Sequence, residues 1–319
     1  MEPNFYFYIE NFCNNQIKEY RKNKKDINHE EISSKFYSEL IKTTNEDFCN
    51  ILLCAGFIPD LYDPDSSEET LFTKLTEVLV AAWAVKMGFK SKFIKQKSSY
   101  EDIKIEIGKL GIACDAKSFR LGRSQKAPNV KDFLKLEDIR KWLNRYEKPL
   151  GGLVAYPDVH EWTSGSDAYQ YCTTKETPTV MLPYKYLALL LHFKKSYSTC
   201  DLVKLWEYKT LFPQKITKKE NNKKKYWDII DKEILSICHI SQKQLENFIK
   251  YADIEIESCI KADLDKLKQH QKHIISIIQE EINNISNTEA KNLLKSYRIE
   301  KETKNIRIIC QRIQDFRLK

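Results

Sequence analysis

Residues 101–126 read EDIKIEIGKLGIACDAKSFRLGRSQK, and the fold of the chain turns on them. Ile103, Ile105 and Ile107 alternate with Asp102, Lys104 and Glu106, the period of two that marks a half-buried strand. Gly111 to Lys117 reads as a second short strand. Gly108-Lys109 between them suits a two-residue type II′ hairpin, which wants glycine at its first central position. In that hairpin Ile107 faces Leu110, and stepping back along both strands puts Asp102 opposite Asp115. Opposed residues share a face with Cβ atoms about 4.5–5.5 Å apart, and Lys117 lies on the same face as a diagonal neighbour. A four-residue loop would set Lys117 opposite Asp102 and keep all three groups together. A three-residue loop would reverse the parity and scatter them.

Two facing carboxylates repel in an ordinary sheet unless a divalent cation sits between them. Mg²⁺ is the natural candidate, because it takes hard oxygen ligands and is usually held by one or two carboxylates plus a substrate phosphate. A metal beside a phosphodiester polarises the phosphoryl oxygens, and a neighbouring lysine orients or deprotonates water. That is chemistry for hydrolysing nucleic acid. The D-x-K spacing alone carries little weight, since Asp102-Ile103-Lys104 shares it and Glu207, Glu289 and Glu302 begin E-x-K runs. Those three fall in segments read as helix or loop, where the spacing sends the side chains to different faces. Asp102-Ile103-Lys104 would need another upstream acid, so Asp115 and Lys117 are preferred.

Outward from the hairpin, helical patterns dominate. The 8 Gly and 9 Pro in 319 residues fall below the usual ~7% and ~5%, as expected of long uninterrupted elements. Ile32, Phe36, Leu40, Phe48, Ile51 and Leu52 recur at helical spacings broken around 43–46. Ser67 followed by Glu68 and Glu69 predicts a helix start, with Gly88 stopping that helix near Met87. After a basic loop, 138–146 reads as a short helix, 152–156 and 179–182 as buried strands, and 184–193, apolar nearly all round, as a helix under a sheet. Ile260, Leu264, Leu267, Ile274, Ile278, Ile282 and Ile285 mark a long C-terminal helix.

The composition, 42% hydrophobic, excludes disorder, and a net charge of +8 favours a polyanionic partner without proving one. Charged residues interrupt the first thirty positions and the longest apolar run is 78–85, so neither a signal peptide nor a membrane span is expected. The chain reads as soluble and intracellular. Nine scattered cysteines with no CxxC pair suggest reduced thiols, neither a disulfide framework nor a zinc knuckle. His270 and His273 lack completing ligands, His160 lacks a nucleophile motif, and no Walker A or dinucleotide glycine run exists. The lysine cluster at 215–225 reads as a solvated loop.

The run Cys114-Asp115-Ala116-Lys117-Ser118-Phe119-Arg120-Leu121-Gly122-Arg123, followed by Lys131-Asp132-Phe133, resembles the HindIII family of type II restriction endonucleases. The similarity extends through Leu71-Phe72-Thr73-Lys74 and Glu77 upstream, and through the 173–175 and 187–190 regions downstream, covering about residues 45 to 200. The resemblance implies an α/β (α+β) fold with a PD-(D/E)xK core, a mixed β-sheet flanked by helices, with helical N- and C-terminal extensions. The expected regions are 1–66 helical, 67–213 nuclease core and 214–319 helical, the last packed as one domain with the core.

By motif, the resemblance makes Asp102 the first metal carboxylate, Asp115 the second, the Ala116 carbonyl a further ligand, and Lys117 the water-positioning group. It makes Glu77 an additional acid, which lies on a helix apolar on most faces. Glu101 stands where the family motif has proline and is a lesser alternative ligand. Ser118, Arg120, Arg123, Ser124 and Lys126 leave the catalytic strand towards the scissile phosphate and are expected to contact DNA. The resemblance further implies Mg²⁺, a homodimer cutting double-stranded DNA at the palindrome AAGCTT with 5′ overhangs, a cognate DNA methyltransferase acting on the same site, and a bacterial cytoplasmic setting. Two other readings remain: a repair or recombination nuclease of the same superfamily, and a non-catalytic DNA-binding or scaffold protein.

Overall fold

A computed structural model describes residues 5–93, 100–124, 129–158, 168, 172, 177–207, 211, 225–283 and 288–318. In chain order the helices α1 (Tyr8–Lys22), α2 (His29–Lys42) and α3 (Asn45–Leu53) precede a short strand β1 (Phe57–Ile58) and the helix α4 (Ser67–Met87). Strands β2 (Lys90–Phe93), β3 (Ile103–Ile107), β4 (Leu110–Ala116) and β5 (Phe119–Arg120) follow. Then come α5 (Val130–Leu134), α6 (Leu136–Leu143), β6 (Pro149–Tyr156), β7 (Thr179–Pro183) and α7 (Tyr184–His192). A 3-10 segment (Thr199–Trp206) leads towards α8 (Lys225–Cys238), α9 (Gln242–Asn283) and α10 (Thr288–Arg317).

The 107–110 turn is the one the spacing predicts: Gly108 sits at φ +63°, a conformation glycine adopts without Cβ strain. The register runs Ile107↔Leu110 to Ile103↔Cys114, so the buried isoleucines of β3 share one face. A five-stranded sheet of order β2-β3-β4-β6-β7 results, antiparallel from β2 to β4 and parallel from β4 to β7. Helices cover both faces. Within β6, a Cβ on Gly151 would strike Trp206 of the 3-10 segment, whereas one on Gly152 would strike Ile139 of α6. Successive glycines thus point into opposite layers, and both helical layers lie close against the strand. On the Trp206 side the sheet meets α4 and α7, where Trp83 donates its indole N–H to the Leu187 carbonyl at 2.9 Å.

The first helices pack on α4 and α7, while α10 folds back along α9. One hydrophobic cluster runs from Ile9 to Ile313, taking residues from the N-terminal helices, the sheet and both C-terminal helices.

Two expectations shift. The cap of α4 is Ser66, whose side chain accepts from the Glu69 N–H, not Ser67. The long helix begins at Gln242, well before 260. Its partner α10 was expected only as part of a helical 214–319 region and not from its own periodicity, because its inward positions include Thr303 and Arg317 besides Ile306, Cys310 and Ile313, leaving a thin apolar stripe. Likewise β2, reading KSKF, is a mostly polar edge strand without the apolar alternation of β3. All nine cysteines are free, and His270 and His273 are exposed on α9. His160, the 173–175 region and residues 215–224 of the lysine cluster lie outside the described residues.

Candidate active site

Strand β4 hands over its hydrogen-bonding partner just where the charged residues cluster. The Lys117 N–H still donates to the Ala155 carbonyl of β6 at 2.8 Å, but the Phe119 N–H donates to the Gly56 carbonyl beside β1 at 2.9 Å. The chain therefore peels off the sheet between Lys117 and Phe119. Ligand and reaction sites of open α/β sheets gather at such carboxyl ends of strands.

The hairpin register carries Asp102 to this end. Its Oδ2 accepts from the Ala116 N–H at 3.0 Å, and its carboxyl hydrogen-bonds to that of Asp115. Asp115, buried, forms an ion pair with Lys117, two residues on along the same strand face. Glu77 reaches in from α4, buried, paired with Lys74 one helical turn earlier. Burial holds the Asp102 carboxyl well above the usual carboxylate range, and the charges of Glu77 and Asp115 push it the same way. The structure therefore brings Glu77, Asp102, Asp115 and Lys117 together, as the sequence predicts, and adds Lys74. Its i, i+3 spacing from Glu77 was the available signal.

Lys117 is secured at both ends. The Tyr184 hydroxyl at the start of α7 donates to the Lys117 carbonyl at 2.7 Å, and the ammonium lies over the Phe133 ring, 5.7 Å from its centroid. Neither was foreseen as a contact of Lys117, although Phe133 stands in the run that carries the family resemblance, because these contacts cross 67 and 16 residues of sequence without a local pattern.

The donor set suits Mg²⁺. Two adjoining carboxylates and a strand-end carbonyl give hard oxygens, and the repulsion from Glu77 and Asp115 that adds to burial in raising Asp102 is what a divalent ion relieves. Among the described residues no three His, Cys, Asp or Glu side chains already close around one metal position. Two carboxylates with substrate phosphate and water are the ordinary complement of Mg²⁺. Glu101, the lesser alternative, is placed elsewhere: its Oε1 accepts from the Tyr146 hydroxyl at 2.7 Å.

The residues expected at DNA divide. Arg120 is engaged within the chain. Its guanidinium donates to the carbonyls of Pro59 (3.2 Å), Asp60 (3.4 Å) and Tyr62 (2.7 Å) and pairs with Glu69 at 3.0 Å. Nη1 and Nε are thereby committed to the 59–62 loop and α4, while Nη2, in its ion pair with Glu69, makes no hydrogen bond among the described residues. Arg123 stacks on Phe119, 3.9 Å from the ring centroid. Ser124 is exposed, and the buried Ser118 hydroxyl has no hydrogen-bond partner among the described residues. Lys126 lies outside the described residues.

A mixed sheet flanked by helices, with acids and a lysine gathered where a central strand leaves it, defines a restriction-endonuclease-like nuclease. The family model of the HindIII restriction endonuclease matches residues 14–310. The chain belongs to that family and is a type II site-specific deoxyribonuclease. It is 26% identical over 307 residues, 88% of this chain and 90% of the relative, to the type II restriction enzyme HindIII of Haemophilus influenzae (strain ATCC 51907 / DSM 11121 / KW20 / Rd). Membership sets aside the repair-nuclease and scaffold readings. Restriction endonucleases generally use a divalent metal and act on DNA. No helix among the described residues is long and apolar enough to cross a membrane.

Proposed function

We propose that this enzyme cleaves double-stranded DNA at AAGCTT in a Mg²⁺-dependent reaction, after the first A, leaving 5′-phosphates on 5′ overhangs. It would act as a homodimer within a restriction-modification system whose methyltransferase protects the same site. The observation that carries the reading is the convergence of Asp102, Asp115 and Lys117 at the exit of β4.

Asp102, Asp115 and the Ala116 carbonyl would hold the ion, which when bound supplies charge stabilisation at the phosphoryl oxygens and a more acidic water. Lys117, anchored beside Asp115, orients the attacking water as an ammonium; it takes up a proton only from the amine form. Glu77, balanced by Lys74, lends further negative charge to the metal side. Ser118, Arg123 and Ser124 follow Lys117 along the chain and would meet the DNA backbone and bases, and Lys126, further on in the sequence, would join them. A two-fold pair of chains matches a palindrome because each half-site meets the same surface.

Digestion of a sequenced plasmid, with Mg²⁺ or with chelator, tests this. Discrete fragments with 5′-AGCT overhangs only in the presence of Mg²⁺ are expected. Ends at another sequence would overturn the assigned target, and undiminished cutting in chelator would overturn the metal. Asp115→Ala and Lys117→Ala should each lower the single-turnover rate by at least about 100-fold while specific binding in gel shifts persists. Normal turnover by either variant would sink the assignment of that residue.

A further inference from the structure

The Lys117 ammonium ends a long, four-carbon stem and pairs with Asp115. What fixes its other side is the face of Phe133, 5.7 Å from the ammonium to the ring centroid, within the ~6 Å over which a ring quadrupole attracts a cation.

The ring itself has little freedom. Phe133 is 9% exposed and sits in α5, whose start is capped by Asn129 accepting from the Lys131 N–H at 2.9 Å. Its edge-on neighbour is Tyr156, with centroids 5.4 Å apart and planes at 90°. Tyr156 is 2% exposed and lies at the end of β6, the strand that pairs with β4. One strand therefore supports both Asp115, through Val154 in the ladder, and the ring on which Lys117 rests. The arrangement is a closed loop of contacts: β4 to Lys117, Lys117 to Phe133, Phe133 to Tyr156, and back through β6 to β4.

We propose that Phe133 is a positioning residue for DNA cleavage, its π face holding the Lys117 ammonium beside Asp115 in the orientation that meets the attacking water. This rests on the reading of Lys117 as the water-handling group. The interaction is electrostatic, so it depends on the negative potential of the ring face more than on the bulk of the ring. A leucine fills similar space without that potential. Fluorine atoms withdraw it stepwise at almost constant shape.

The test is a series in the full-length protein with 4-fluoro-, 3,5-difluoro- and 3,4,5-trifluorophenylalanine at position 133, together with Phe133→Leu and Phe133→Trp. Single-turnover cleavage of a duplex containing AAGCTT in Mg²⁺ is compared with affinity for the same duplex in Ca²⁺ and with the thermal midpoint. The logarithm of the cleavage rate should fall in step with the number of fluorines, reaching about 5- to 30-fold for the trifluoro ring and for Phe133→Leu. Affinity should stay within twofold, and Phe133→Trp should retain most of the rate.

Rates that are flat across the fluorinated series, or that track the thermal midpoint instead of the fluorine count, would overturn the proposal. Lys117→Ala separates the two levels. If it cleaves normally, the role of Lys117 is wrong; if it is inactive while the fluorine series is flat, the lysine stands and only the aromatic seat fails.

Discussion

At the scale of single residues, the acid pair and the lysine were legible because a two-residue turn fixes register, and register fixes which side chains share a face. Asp102, Asp115 and Lys117 needed no long-range information. Arg120 shows the opposite case. Its position next to β4 suggests DNA, but three carbonyls of the 59–62 loop and Glu69 of α4 hold its guanidinium from 51 to 61 residues away. Such carbonyl arrays leave no trace in a local pattern. Arg120→Ala should therefore act on folding: a loss on the order of 3 kcal/mol in denaturant unfolding, with an unaltered cleavage site in fragments made at low temperature. A variant of normal stability that cuts at relaxed sequences would restore Arg120 to the DNA.

At the scale of elements, strong amphipathic or alternating patterns were readable and weak ones were not. Helix α4 announces itself through its acidic first turn and its glycine stop, Gly88 at φ +94°. Only the cap slipped by one residue, since Ser66 and Ser67 offer the same chemistry and the backbone decides between them. Ser66→Ala should lower stability by about 1 kcal/mol, and Ser67→Ala by a few tenths at most, measured by urea unfolding of each. An equal cost for both would place the cap wrongly. Because α4 carries Glu77 as well as the cap, loosening its first turn reaches the site only through two further turns of helix. Cleavage by Ser66→Ala should stay near normal. Strand β2 escaped notice, and helix α10 was expected only within a helical C-terminal region, for a shared reason: one is a polar edge and the other presents a narrow apolar stripe, so tertiary packing, not periodicity, defines them.

At the scale of the whole molecule, the C-terminal helices meet the N-terminal region around partly buried acids that periodicity could not assign. Burial raises the Asp60 carboxyl to about 6, even though the Gly122 N–H, Arg120 and Arg317 hold it down. Burial likewise raises Asp263 on α9 to about 7, with the charge of Asp60 and Glu10 adding and Lys266 opposing. An unfolded aspartate releases its proton near pH 3.9. Between about pH 4 and 7 the folded chain therefore holds protons that the unfolded chain has lost. The contribution of these acids to stability is complete below pH 4 and is lost as pH rises through 6 and 7. Asp263→Asn should melt at a higher temperature than the parent at pH 8, with the difference vanishing near pH 4. Equal melting at both pH values would show that Asp263 titrates normally.

The exit of the catalytic strand is also braced from far along the chain. Arg312 of α10 donates to the Gly122 carbonyl at 3.2 Å, across 190 residues, and Ile309 packs so closely that a Cβ on Gly122 would meet it at 2.3 Å. During synthesis at about 5–20 residues per second, that separation amounts to about 10–40 s in which Gly122 has emerged while its brace has not been translated. The segment leaving β4 is thus completed late, and a nascent polypeptide still threaded through the ribosome carries Asp102, Asp115 and Lys117 without the support that sets their outlet.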